Sequence, residues 1–173
     1  TGVRPEVLRS RNGRLIAAEG HAVVSIDPCG HARETLFSVD ELEPLRASER
    51  ALWVTAVHQG QTGVFRYDFV SRELRMVASL PELGPMAVTP EGRVVILRRL
   101  ESDEAEPEQT TYELLEVRDG EAPTRLHTIE AVTTGATVKL VGASRLGAYV
   151  RFTHDCGCNP GLVRYSWDGG ERE

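Results

Sequence analysis

One short pattern recurs four times along the chain and restricts the fold more than any other feature. The copies read Ser10-Arg11-Asn12-Gly13-Arg14-Leu15-Ile16, Ser48-Glu49-Arg50-Ala51-Leu52-Trp53-Val54, Thr89-Pro90-Glu91-Gly92-Arg93-Val94-Val95 and Ser144-Arg145-Leu146-Gly147-Ala148-Tyr149-Val150. Each places a hydroxyl residue, two variable residues, a Gly or Ala, one further residue and two apolar ones in the same order. The starts lie 38, 41 and 55 residues apart. Ser, Asn, Pro and Gly favour turns, each for its own backbone reason. The apolar residues that follow are suited to strands. The pattern is therefore a tight turn feeding a strand, used four times.

A second pattern lies downstream of each turn. Segments 23–27, 64–68, 114–119 and 163–168 are strand-like and end in Asp27, Asp68, Asp119 and Asp168. A turn and another short strand follow the first three, at 33–37, 73–77 and 123–129. Further strands are expected before the turn, at 6–8, 85–88 and 138–141, and after it, at 15–18, 52–57, 94–97 and 148–152. We label the strands of a unit A to D in chain order. No stretch shows a helical period with caps. The best helical candidate, Asp40-Glu41-Leu42-Glu43, is cut short by Pro44.

Units of roughly 40–50 residues with four strands each are the signature of propeller blades. The expectation is an all-β fold, a β-propeller of about four four-stranded blades in units 1–37, 38–80, 81–129 and 130–173. The motifs also resemble known propeller families. Thr89-Pro90-Glu91-Gly92-Arg93 resembles the S-P-D-G-R turn of WD-repeat and TolB-like blades. Ile26-Asp27-Pro28-Cys29-Gly30 is similar to the I-D-P-x-T-G turn of YVTN-type blades, without its Thr. Tyr165-Ser166-Trp167-Asp168-Gly169-Gly170 is similar to the Y-x-x-D-G-G ends of TolB-like blades. Trp167-Asp168 falls at the end of strand C, as in WD-repeat blades, but no Gly-His partner precedes it. The fourth unit carries no D strand in the sequence. The expectation is thus a part of a larger propeller of six to eight blades, with a self-contained four-bladed ring as the alternative.

Ten residues after each hydroxyl residue stand Gly20 (with His21 beside it), His58, Arg99 and His154. These fall where strand B gives way to strand C, and in a propeller those connections open on one face. His21, His58, Arg99 and His154 are therefore the candidate partner- or ligand-binding residues. Polar residues are also simply tolerated where a strand enters a loop. No metal is expected there, because equivalent residues of neighbouring blades stand too far apart to share an ion.

His154-Asp155-Cys156-Gly157-Cys158 groups three potential zinc ligands in one B–C connection, besides Asp155. Cys29 and His31 lie in a C–D turn, which a propeller places at the other end of the blade. A four-ligand site is not expected, and no cofactor is implied. Three cysteines make an odd number that does not suit a disulfide scaffold, so reduced thiols and a cytoplasmic setting are favoured. Glu101, Asp103, Glu104, Glu106 and Glu108 form an acidic insertion in the third unit, read as a solvated loop able to steer a basic partner.

With a net charge of −6, the chain lacks the basic face that nucleic acid requires. Lys139 is the one lysine among twenty basic residues, which codon bias toward arginine explains. No apolar run is long enough for a membrane helix. The motifs G-x-S-x-G, H-E-x-x-H, P-loop and G-x-G-x-x-G do not occur, and no catalytic residue is assigned. The first expectation of function is a non-catalytic protein-interaction or sensing module, whose partner is a protein or the remaining blades. The alternatives are an accessory propeller gating substrate for a hydrolase-type domain elsewhere, and a lyase or hydrolase working in the propeller channel.

Overall fold

The computed structural model describes residues 7–9, 13–29, 32–48, 50–100, 110–131, 137–153 and 161–168. They form four antiparallel sheets, each wound in chain order. The first contains β1 (Val7–Arg9), β2 (Leu15–Glu19), β3 (Ala22–Ile26) and β4 (Arg33–Ser38). The second contains β5 (Glu41–Ala47), β6 (Ala51–His58), β7 (Gln61–Asp68) and β8 (Leu74–Ser79). The third contains β9 (Met86–Val88), β10 (Val94–Arg99), β11 (Thr110–Val117) and β12 (Thr124–Ala131). The fourth contains β13 (Thr137–Ser144), β14 (Gly147–Thr153) and β15 (Gly161–Ser166). Among the described residues there is no helix.

The recurring hydroxyl residue closes the turn between the first two strands of a blade, by a different bond in each copy. In the second blade Ser48 donates twice to the Ala51 carbonyl, from its N–H at 3.0 Å and from its Oγ at 3.3 Å. In the third, Thr89 Oγ1 accepts from the Arg93 N–H at 3.1 Å, and the Thr89 carbonyl accepts from the Gly92 N–H at 2.9 Å. In the fourth, Ser144 Oγ accepts from the Leu146 N–H at 3.1 Å. A short side-chain oxygen that caps its own turn is why Ser and Thr stand there. The first copy's Ser10 lies outside the described residues.

The aspartates that end strand C work in the same way. Asp27 Oδ1 accepts from the Cys29 N–H at 2.8 Å, and Asp68 Oδ1 accepts from the N–H groups of Val70 and Ser71 at 2.8 and 3.2 Å. These Asx turns start the C–D connections. At the other end of the second blade, Gln59 and Gly60 take φ of 52° and 74°. Two consecutive positive values match a two-residue hairpin turn whose twist suits the flanking strands.

Segment 40–43 carries no helix, in line with the expectation that Pro44 cuts one short, but the sequence reading missed a strand there: β5 runs through it as the A strand of the second blade. Its register against β6 slips between Leu42 and Leu45. The bulge leaves Glu43 and Pro44 out of the ladder, so the missing proline N–H removes no ladder bond. A proline that reads as a stop is thereby accommodated inside a strand.

The chain divides into two compact units, 1–83 and 84–173. In the first, Ile16, Val23 and Phe37 of one sheet form a single core with Leu52, Val54 and Phe65 of the next. In the second, Val95, Leu97 and Leu114 pack with Val138, Ala148 and Val150. All six residues from Ala51 to Ala56 are buried, so β6 is covered on both faces and reads as an unbroken run of buried side chains. Full burial of one such Val or Leu is worth about 1.5–3 kcal/mol.

Candidate functional site

The blades present two ends. At the B–C end, His21 is exposed in the β2–β3 turn, His58 is half-buried at the last position of β6, and Arg99 is exposed at the last position of β10. His58 meets Phe65 edge-on, with ring centroids 5.7 Å apart. Each residue thus sits where its own second strand ends, as the spacing requires. His154, Cys156, Cys158 and His31, like the acidic insertion at 101–109, lie outside the described residues. Cys29 is exposed in the β3–β4 turn.

At the opposite end of the first unit lies a cavity of about 880 Å³ between its two sheets. Arg14, Ile16, Ser25, Glu34 and Leu36 line it from the first blade. Ser48, Arg50 and the run from Arg66 to Arg72 line it from the second. The floor is apolar and aromatic: Tyr67 packs against Phe37 at 5.2 Å and edge-on against Phe69 at 6.0 Å. Burial raises the Tyr67 phenol above its ordinary range, so it stays protonated at neutral pH. Val70 stands almost wholly exposed, at 91%, on the turn that borders the cavity.

Four guanidinium groups and two carboxylates surround this space. Both carboxylates are engaged. Asp68 accepts from the two backbone N–H groups of its turn and, through Oδ2, from Arg66 Nη2 at 2.9 Å. Those bonds, the backbone ones foremost, hold its pKa below the usual aspartate value. Arg66 also lies 5.7 Å from the Trp53 ring centroid. Glu34 Oε1 accepts from Arg72 Nη1 at 3.1 Å. Among the described residues Arg14 bonds only to neutral oxygens, Ser25 Oγ at 2.6 Å and the Ser25 carbonyl at 3.4 Å. Among the described residues neither Arg14 nor Arg50 has a carboxylate partner.

The second unit repeats this geometry with different side chains. Ile16 pairs with Ser25 and Val95 with Glu116. Ile16 and Val95 occupy the same place in the repeat, so Ser25 and Glu116 are equivalent, as are Arg14 and Arg93. Leu52 pairs with Tyr67 and Ala148 with Tyr165, which makes Phe69 equivalent to Trp167. In the second unit Arg93 donates through Nε to Glu116 and lies over the Trp167 ring, 4.2 Å from its centroid. Arg118 Nη2 also reaches Glu116, at 3.1 Å. Burial alone would raise the Glu116 pKa, but the hydrogen bonds from Arg93 and Arg118 outweigh it and the net shift is downward. The arginine that is neutralised in one unit lacks an anionic partner among the described residues of the other.

The arginine was visible in the sequence, at the fifth position of the first and third copies. Its significance was not, because it depends on the residue that strand pairing sets opposite.

No protein-family model and no curated protein matches the chain. Solved structures do. The chain is similar to TolB from Acinetobacter baumannii, with a TM-score of 0.59 and 15% identity, over 98% of this chain and 40% of that one. It is also similar to an oligogalacturonate lyase from Vibrio parahaemolyticus, with a TM-score of 0.62 and 14% identity, over 100% and 54% of the two chains. An oligogalacturonate lyase in complex with manganese matches with a TM-score of 0.58 and 12% identity, over 100% and 59%. The chain spans 40–59% of the length of these structures. At such identity the likeness shows the fold: four consecutive antiparallel sheets of the β-propeller type.

Proposed function

We infer that this is a non-catalytic interaction or sensing module of the β-propeller type, with units 1–37, 38–80, 81–129 and 130–173 as successive blades of one domain. A protein, or further blades, is its partner. One observation carries the non-catalytic reading. Among the described residues each carboxylate whose pKa is clearly perturbed, namely Asp68, Glu91, Glu113 and Glu116, is shifted downward. A general acid at neutral pH needs the opposite shift. These groups are held as carboxylates by arginines or backbone N–H groups.

The B–C end supports a contact surface, since His58, Arg99 and His154 share one repeat position and His21 stands one residue after it in the first unit. The test is cross-linking in the parent cell, comparing the native chain with the combined His21→Ala, His58→Ala, Arg99→Ala and His154→Ala variant. Loss of a defined partner with unchanged circular dichroism supports the reading. Retention of every partner by the variant refutes the surface.

A second reading, an accessory or channel-type enzyme propeller, draws on the likeness to two oligogalacturonate lyases. Release of unsaturated product from oligogalacturonate by the purified chain, with manganese supplied, would favour it over the first.

A further inference from the structure

The cavity of the first unit lies at the other end of its blades from His21 and His58, and its role is independent of the proposed contact surface. We propose that it is a binding site for a small organic acid with an aromatic or aliphatic body, whose carboxylate takes the place that Glu116 holds in the second unit.

The internal repeat supplies the template for this site. In the second unit an arginine at the fifth repeat position, a carboxylate on the paired strand and an aromatic ring from the following blade form one closed assembly: Arg93, Glu116 and Trp167. The first unit keeps the arginine as Arg14 and an aromatic ring as Phe69, and both line the cavity. It replaces the carboxylate with Ser25, a shorter and neutral side chain. Arg14 Nε still donates to Ser25 Oγ, but its charge has no counter-charge among the described residues. Arg50 adds a second such charge to the lining. A carboxylate can accept two parallel bonds from one guanidinium, which a hydroxyl cannot reproduce.

The other groups of the lining select the rest of the ligand. Glu34 and Asp68 are already paired with Arg72 and Arg66, so they do not compete for Arg14 or Arg50. Ile16, Leu36, Tyr67 and Phe69 offer apolar surface. A cavity of about 880 Å³ falls within the size range of small-molecule sites and exceeds what acetate would fill.

The probe is phenylacetate, with phenylacetamide as its neutral counterpart, titrated calorimetrically into the whole chain. A fragment of this size is expected to bind in the millimolar range, while the amide binds at least tenfold more weakly. Arg14→Gln should weaken phenylacetate at least tenfold. Ser25→Glu rebuilds the second unit's carboxylate inside the cavity and should abolish binding while raising the thermal midpoint. Circular dichroism of both variants separates loss of the site from loss of the fold, and Arg14→Gln decides the matter if Ser25→Glu fails to fold. Equal binding of acid and amide, unchanged affinity in Arg14→Gln, or no heat with phenylacetate at tens of millimolar each overturns the assignment.

Discussion

The guanidinium of Arg93 lies over the Trp167 ring, 4.2 Å from its centroid, while its Nε bonds the Glu116 carboxylate. The same indole donates its N–H to the Ser144 and Arg145 carbonyls, at 3.0 and 3.1 Å. One arginine therefore ties a buried acid of the third blade to the turn that opens the fourth. Such stacking is worth about 0.5–2 kcal/mol, depending on how dry the site is.

Glu116→Gln removes the negative charge that two arginines share and replaces one of their two acceptor oxygens with an N–H donor. We expect a loss of about 1.5–3 kcal/mol, typical of hydrogen bonds to a charged group. Urea denaturation followed by tryptophan fluorescence measures it, and Trp167 should report the change directly. A loss below about 0.5 kcal/mol would show that Arg93 is held by the indole alone.

Acid should unfold the chain from a defined side. Hydrogen bonds from Arg98 lower the Glu113 pKa and those from Arg93 and Arg118 lower that of Glu116. For a group depressed in the folded state, the stabilisation is present above the unfolded value and fades as pH falls toward the folded one. The unfolded reference for glutamate is 4.5. Stability should therefore hold from neutrality to about pH 5 and decline below that. Thermal melts across pH 3–7 would check it, and Glu113→Gln combined with Glu116→Gln should flatten the acid limb.

Two glycines separate close approach from mere presence. A Cβ on Gly147 would strike the Tyr165 carbonyl oxygen across the β14–β15 ladder, whereas one on Gly142 meets nothing within 4 Å. Gly147→Ala should cost about 1–3 kcal/mol, as overpacking does. Gly142→Ala should stay within about 0.5 kcal/mol of the parent. Paired chemical denaturation curves of the two variants make the comparison.

The hairpin turn of the second blade carries a local conflict. Gln59 sits at φ 52°, a conformation that costs a residue other than Gly, Asn or Asp about 1–2 kcal/mol. Gln59→Asn should restore the Asn-Gly pair that such turns favour and raise the thermal midpoint. An unchanged or lower midpoint would mean that the Gln59 side chain makes a compensating contact.

The repeat made much of this fold legible before any coordinates. Ser48, Thr89 and Ser144 announce their turns because a short hydroxyl caps its own backbone, which is a local property. Asp27 and Asp68 are readable for the same reason. β5 was hidden because Pro44 speaks locally against a strand, and only its pairing with β6 reveals the bulge that shelters it. The cavity was hidden more deeply. Arg14 and Arg93 stand alike in their copies, and what distinguishes them is whether Ser25 or Glu116 lies opposite. That identity follows from register, which connections of unequal length conceal. His21, His58 and Arg99 reach the strand ends that counting assigned them, since spacing within a hairpin is conserved by its geometry.

The bulge in β5 has a bearing on how the chain meets other chains. An edge strand with an uninterrupted row of N–H donors is a template on which a foreign strand can grow. Pro44 supplies no donor, and the slip between Leu42 and Leu45 breaks the even spacing that a guest strand must match. A residue that costs the sheet little thus guards it against recruitment into fibrillar or edge-to-edge assemblies.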